Sequence, residues 1–256
     1  MVKKILSILA WVVTGAALVA LFIVARESYL QRPVDAINVN INRVNENGFV
    51  KKDAVLAELD SICHNANIGT VNMMAIGNRL KSQPWIEHSS SFVDLGGNLN
   101  VNIKEYHPVL RVFGRNGNTA YLTEEGMLLP QSADFTPYVL IASGNFDLES
   151  ASLRHRLCDT VEADRNLIGA MKVFEAIGRN EFMSNSIGQI YCNRNNEYEI
   201  VARDIDARIM LGDTCNLDDK LTRLEIFMKQ KTGSSEITEM KTINLKYKNQ
   251  VVCTKR

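Results

Sequence analysis

Hydrophobic and polar residues follow three different patterns along the chain, and the first is a long run without charge. Residues 5–25 carry no charged side chain and lie directly behind Lys3 and Lys4. A helix of this length, rising about 1.5 Å per residue, spans roughly 30 Å, the hydrocarbon thickness of a bilayer. The positive-inside rule places the two lysines in the cytoplasm. We therefore predict a cytoplasmic tail at 1–4 and a transmembrane helix at 5–25, with the bulk of the chain across the membrane.

A cleaved signal peptide is the alternative interpretation of this run. Its apolar core is usually only about 7–15 residues long, and Arg26 and Glu27 follow here in place of a cleavage context. The sequence therefore favours a retained anchor. Because Pro33 disfavours helix at the residue before it, the helix should end ahead of it and residues 26–32 should form a juxtamembrane linker.

The second pattern covers residues 33–106 and alternates between period two and helical spacing. Ile37, Val39 and Ile41 alternate with asparagines, which indicates a half-buried strand. One helix is expected from near Val50, and another follows Thr70 as its N-cap. Val93 and Leu95, the Gly96-Gly97 turn, and the alternating residues 99–103 then indicate a hairpin. The prediction is a strand, two helices and two strands.

The third pattern, from residue 107 to residue 256, is dominated by short strands. Strands are predicted at 109–113, 120–122, 138–141, 187–192, 197–202 and 207–211. A long amphipathic helix should carry Leu167 to Ile177, and a last helix should start after Asn216. The fold class is thus α+β: one transmembrane helix, a small module, and a mixed α/β domain dominated by antiparallel sheet.

The alternation at the end of the chain has two interpretations. Ile243, Leu245 and Tyr247 alternate with polar residues, which predicts a strand at 242–247. At a sheet edge, its main-chain groups could accept a strand from another protein. It could equally be an interior strand, and spacing does not distinguish the two.

Charge and cysteine content narrow the function. The 29 basic and 29 acidic residues balance to a net charge of zero, and no polybasic run occurs, so nucleic acid is not an expected partner. The five cysteines contain no C-x-x-C pair. Their odd number prevents complete pairing within one chain, but both disulfides and buried thiols remain open.

Motifs for catalysis are missing from the sequence. The four histidines form no zinc-binding spacing, and neither a G-x-S-x-G elbow nor an S-x-x-K nucleophile is present. Ser184-Asn185-Ser186 and Glu124-Glu125 are interpreted as turns. We predict no catalytic residue, no metal, no cofactor and no small-molecule substrate.

Several ordered motifs resemble one protein family. In the first half they are Leu80, Pro84-Trp85-Ile86, residues 97–105 and Pro108-Val109. In the second half they are residues 121–126 with Leu129-Pro130, Leu211-Gly212 with Lys220, Leu221 and Leu224, and residues 243–247 with Asn249. Together they resemble the FtsQ/DivIB bacterial cell-division family, in which a membrane anchor precedes a POTRA module at 33–106 and a β domain at 107–256. Thr123, Asn244, Lys246 and Gln250 depart from the family pattern.

This resemblance implies a non-enzymatic scaffold of the divisome in the inner membrane, enriched at the septum. It would recruit FtsB-like and FtsL-like partners, and through them the septal peptidoglycan synthase. The FtsB-like partner would add a strand to the C-terminal edge of the β domain. The partner-binding positions implied by the motif are Lys246, Tyr247, Asn249, Gln250, Val251 and Val252.

Two other functions remain as alternatives. A POTRA module also occurs in outer-membrane assembly and secretion proteins, so a single-POTRA envelope protein would share the first half. An envelope hydrolase would instead require a deep pocket that joins a histidine to a carboxylate.

Overall fold

The computed structural model describes residues 2–43, 47–64, 66–148, 155–158, 162–231 and 239–256. The chain divides into two compact units, Met1–Tyr106 and His107–Arg256. Each unit has its own sheet.

The first unit begins with the long helix α1, Val2–Leu30. Within its described part, the stretch Leu9–Leu30 is long and apolar enough to cross a membrane, and its most apolar part is not buried in the protein. The helix continues to Leu30, five residues into the segment expected as a linker. It ends ahead of Pro33 because proline restricts the backbone before it.

The rest of the first unit forms a three-stranded sheet with two helices. Its elements are β1 (Ile37–Asn42), α2 (Lys52–Cys63), α3 (Met73–Ser82), β2 (Ile86–Val93) and β3 (Leu99–Glu105). The strand order is β1-β3-β2, with β1 parallel and β2 antiparallel to β3. Leu59, Ile76 and Leu80 from the helices are fully buried, as are alternate residues of β3.

Two local expectations for this unit were wrong. The N-cap of α3 is Asn72, whose side chain accepts a hydrogen bond from the Ala75 N–H at 2.9 Å, whereas Thr70 bonds within the preceding turn. Leu95 does not continue β2. It lies in the turn and is 91% exposed. The chain turns here because Gly97 adopts a φ of 93° and its N–H donates to the Asp94 carbonyl oxygen.

In its described residues, the second unit contains ten strands and three helices. The strands are β4 (Pro108–Phe113), β5 (Thr119–Thr123), β6 (Met127–Pro130), β7 (Leu140–Gly144), β8 (His155–Arg156), β9 (Ile187–Cys192), β10 (Tyr198–Ala202), β11 (Arg208–Gly212), β12 (Met240–Asn244) and β13 (Val252–Lys255). The helices are α4 (Glu162–Gly178), α5 (Glu181–Ser186) and α6 (Leu217–Lys231).

These ten strands form one mixed sheet. Its order is β13-β12-β11-β10-β9-β7-β4-β5-β6-β8. Three pairs are parallel: β11 with β12, β7 with β9, and β4 with β7. The other pairs are antiparallel, so antiparallel pairing dominates.

The core of the second unit lies between the helices and one face of the sheet. Leu167 and Val173 of α4, together with Leu224 of α6, are fully buried against alternate strand residues such as Ile190 and Ile209. Because successive side chains of a strand point to opposite faces, the residues between these buried ones point to the face of the sheet away from the helices.

Within the described residues, the sequence did not predict four short elements: β6, β8, β13 and α5. The prediction of a turn at Ser184-Asn185-Ser186 is wrong, because these residues end α5. The Asn180 side chain caps this helix by accepting a hydrogen bond from the Met183 N–H at 3.0 Å. An N-cap asparagine followed by Glu181 favours a helix start.

All five cysteines lie in described residues. Cys63 and Cys192 are buried free thiols. Burial raises the pKa of the Cys192 thiol to about 11, so this side chain remains a neutral, apolar part of the core.

Candidate partner-binding edge

The strand order places β13 at one end of the large sheet. Residues 242–244 of β12 pair with 208–210 of β11 on one side. On the other side they pair with 252–254 of β13. This part of the stretch 242–247 is therefore interior, and the edge lies one strand further along the chain. Among the described residues, β12 is the strand that pairs with β13.

The hydrogen bonding of β13 defines which main-chain groups point away from the sheet. The Arg256 N–H donates to the Glu239 carbonyl oxygen at 2.9 Å, and Lys255 is registered with Met240. In an antiparallel ladder this makes Lys255 a non-hydrogen-bonded position, whose N–H and C=O point outward. An added strand could pair with these groups.

The six predicted binding residues lie on β13 and on the loop that leads into it. Lys246, Tyr247, Asn249, Gln250 and Val252 are exposed, and Val251 packs partly against the core. Tyr247 is 56% exposed. Asn249 has a φ of 57°, a left-handed conformation that asparagine tolerates better than most residues. The six are near neighbours along the chain, and Val252 is the one that lies on β13.

Arg223 of α6 holds this loop in place. Its guanidinium donates to the Tyr247 carbonyl oxygen at 2.9 Å, to the Leu245 carbonyl oxygen at 3.4 Å and to the Gln250 carbonyl oxygen. The Arg223 Nε atom also contacts an Asp219 carboxylate oxygen at 3.0 Å. A planar guanidinium can bind several acceptors in a fixed geometry.

A second contact fixes the start of the loop. The Lys246 ammonium donates to a Glu197 carboxylate oxygen at 2.5 Å. This hydrogen bond lowers the pKa of Glu197 and raises the pKa of Lys246. The Lys246 stem passes over Gly212, where an added Cβ would lie 2.8 Å from the Lys246 Cγ atom.

Sequence reasoning did not identify Arg223, Glu197 or Gly212 as parts of this site. The i,i+4 spacing of Asp219 and Arg223 indicates a helical ion pair, but nothing in the sequence points this arginine at a loop more than twenty residues away. In the sequence, Gly212 stands out only as part of a family motif. Its φ of 75° explains why glycine is needed.

One histidine does meet a carboxylate elsewhere in the unit. His155 Nε2 lies 3.4 Å from an Asp164 carboxylate oxygen. An apolar cavity of about 360 Å³, lined by Tyr138, Phe174 and Arg203 among others, contains neither residue. Within the described ranges, no group of three or more His, Cys, Asp or Glu side chains could hold a metal ion.

Among the described residues, fold and site together place the end strand β13 beside an exposed loop that Arg223 and Lys246 hold. Residues 107–254 match the family model described as FtsQ/DivIB, C-terminal related. The chain therefore belongs to the FtsQ/DivIB family and is a cell-division protein. A search of curated proteins finds no match.

Proposed function

We propose that this protein is a non-enzymatic, membrane-anchored scaffold of the divisome that binds its partner by strand addition. The acceptor is the outer edge of β13, and the loop before it supplies specificity. The partners are FtsB-like and FtsL-like division proteins, which link the scaffold to the septal peptidoglycan synthase.

The position of β13 at the end of the sheet is the observation that carries this proposal. Strand addition takes its affinity from main-chain hydrogen bonds and its specificity from alternate side chains. The outward-facing groups of Lys255 offer the first, and the exposed Tyr247 and Val252 side chains offer the second. Membership of a family of division scaffolds supports the same function.

The first unit fits a POTRA module. Its order of strand, helix, helix, strand and strand, with the central strand β3 parallel to β1, supports this assignment. The long apolar helix α1 supports a single-pass anchor in the inner membrane. Lys3 and Lys4 favour a cytoplasmic N-terminus and a periplasmic bulk.

A proline substitution in β13 tests strand addition directly. Lys255→Pro removes an outward-facing N–H, and loss of this hydrogen-bond donor should weaken binding of an FtsB-like peptide to the full chain about tenfold. The fold should stay intact, because proline is tolerated on edge strands. Lys255→Gln is the matched control, because it removes the charge but keeps the N–H. Equal affinity of both variants and the wild type, with the fold intact by circular dichroism, would contradict the proposal.

The loop side chains need a separate test. Tyr247→Lys should reduce peptide binding, because a charged chain replaces an exposed aromatic surface beside the edge. Tyr138→Lys provides the control, since Tyr138 is 91% exposed at another place on the unit. If Tyr247→Lys binds the peptide as tightly as Tyr138→Lys and the wild type do, Tyr247 does not contribute to the interface.

The match of residues 107–254 to the FtsQ/DivIB family disfavours the alternative of a single-POTRA protein of outer-membrane assembly or secretion, which would share only the first unit. A fluorescent fusion in dividing cells tests the proposed septal location. Enrichment at midcell supports the divisome scaffold, and a uniform envelope signal would contradict the septal location.

A further inference from the structure

The end of the apolar helix is fixed to one end of the small sheet in the first unit. The Tyr29 hydroxyl donates to the Asp94 carbonyl oxygen at 2.7 Å. The Leu30 carbonyl oxygen accepts from the Gly69 N–H at 2.9 Å, and the Arg32 carbonyl oxygen accepts from the Ile68 N–H at 2.9 Å. The helix is therefore joined to the module by direct hydrogen bonds.

The topology puts the β2–β3 turn at this same end. β1 follows the helix closely, and β3 runs parallel to it with Leu99 registered opposite Ile37. The starts of both strands therefore lie at the end of the sheet that faces α1. The turn at 94–98, which leads into Leu99, is at that end as well.

Main-chain hydrogen bonds close this turn, and its tip is apolar. The Asp94 N–H donates to the Asn98 carbonyl oxygen, and the Gly97 N–H donates to the Asp94 carbonyl oxygen, both at 3.0 Å. Leu95 at the tip is 91% exposed. An exposed leucine is common on protein surfaces, but turns normally carry polar residues or glycine. Phe92, three residues earlier on β2, is 52% exposed.

The helix sets the depth of the turn. If residues 5–25 cross the hydrocarbon layer, Tyr29 lies four residues and about 6 Å beyond its boundary. The headgroup layer is of similar thickness, and tyrosine is enriched there. The Tyr29 hydroxyl contacts the Asp94 carbonyl oxygen. Leu95, which follows Asp94 in the chain, therefore reaches the same headgroup layer.

We propose that Leu95, flanked by Phe92, inserts into the interfacial layer of the bilayer that α1 crosses. This inference rests on the proposed membrane anchor. The hairpin tip then forms a second membrane contact, which together with α1 fixes the height and tilt of the first unit above the lipid.

Depth-dependent quenching of a fluorescent amino acid tests this insertion. The probe replaces Leu95 in the full chain, reconstituted in vesicles that contain lipids brominated near the glycerol backbone. The matched control carries the probe at His88, an exposed β2 residue registered with Lys104 toward the other end of the hairpin. Quenching at position 95 should exceed that at position 88 at least about twofold.

A second pair of variants tests the side chain itself. With the probe at Phe92, Leu95→Asp should lower quenching about twofold and Leu95→Ile should leave it unchanged, because a charged tip disfavours insertion. Alkaline carbonate extraction of the same vesicles reports on the helix. Resistance to extraction with equal quenching at 95 and 88 would overturn the tip contact and leave the anchor standing. Extraction of the chain would overturn both.

Discussion

The Arg223 guanidinium lies 2.9 Å from the carbonyl oxygen of Tyr247, so a helix residue fixes the main chain of a residue in the proposed binding loop. The same guanidinium also bonds the Leu245 and Gln250 carbonyl oxygens. The loop between β12 and β13 is thus held from inside, with its exposed side chains directed outward. Such a loop can present a preorganised surface, which reduces the entropy lost on binding.

The first prediction concerns this arginine. Arg223→Ala should lower the free energy of unfolding by about 2 kcal/mol, because hydrogen bonds from a charged, largely buried group are lost. Hydrogen exchange of the amides at 246–250 should become faster. Peptide binding should weaken with little change elsewhere in the second unit.

Arg179→Ala is the control for that variant. Arg179 also pairs with an aspartate, Asp218, but both side chains are more than half exposed, so its loss should cost less than about 1 kcal/mol. An Arg223→Ala chain with unchanged exchange in the loop would show that the guanidinium does not hold it.

The second prediction concerns Gly212. Alanine here meets a φ of 75° and a Cβ contact of 2.8 Å to Lys246 Cγ. Gly117 has a similar φ of 79° but open space around its Cβ position. Backbone strain should make both substitutions lower the free energy of unfolding by about 1–2 kcal/mol.

Only Gly212→Ala should also displace Lys246. We therefore expect Gly212→Ala to lose about 1 kcal/mol more than Gly117→Ala in urea unfolding. It alone should change the exchange of the 246–250 amides. Equal losses for the two variants would mean that Lys246 moves aside at no cost.

The third prediction is a pH dependence of the loop. The Lys246 hydrogen bond lowers the pKa of Glu197 from its ordinary value of 4.5. The stabilisation is therefore present above pH 4.5 and is lost as pH falls through the lower, folded-state pKa. Protection factors of the 246–250 amides, corrected for intrinsic exchange, should fall in that acid range.

Glu225 offers a matched comparison, since the Lys229 hydrogen bond at 2.6 Å lowers the pKa of that carboxyl as well. Glu197→Gln should abolish the acid-dependent change in the loop, and Glu225→Gln should leave it intact. The reverse result would mean that the Glu197–Lys246 pair does not cause the pH dependence of the loop.

Local patterns predicted most of the long elements in this chain. Period-two alternation located β1 and β3, and helical spacing located α4, because each buries one regular face. The sequence did not predict β13. Its four residues are largely exposed and show no inward-outward alternation, so pairing with β12 defines this strand.

The parts of the site that were missed depend on contacts between distant residues. Motif resemblance located Lys246 and Tyr247, since they follow a recognisable strand. Glu197 lies 49 positions from Lys246 along the chain, and no local pattern relates the two. Their proximity follows from the sheet order, which places β12 beside β11 and β11 beside β10.

The last prediction sets helix propensity against packing inside α4. Alanine is favoured over glycine in a helix by about 1 kcal/mol, so helix propensity by itself favours a stabilising effect of Gly169→Ala. In the structure a Cβ at Gly169 would collide with the Tyr198 hydroxyl, which donates to the Asn166 carbonyl oxygen at 2.9 Å. We expect a net loss of about 1–3 kcal/mol, because a packed core resists added volume. Gly178→Ala, at the open end of α4 with nothing near its Cβ position, should not show this loss. Thermal unfolding of both variants measures the difference, and a higher melting temperature for Gly169→Ala would mean that Tyr198 yields to the helix.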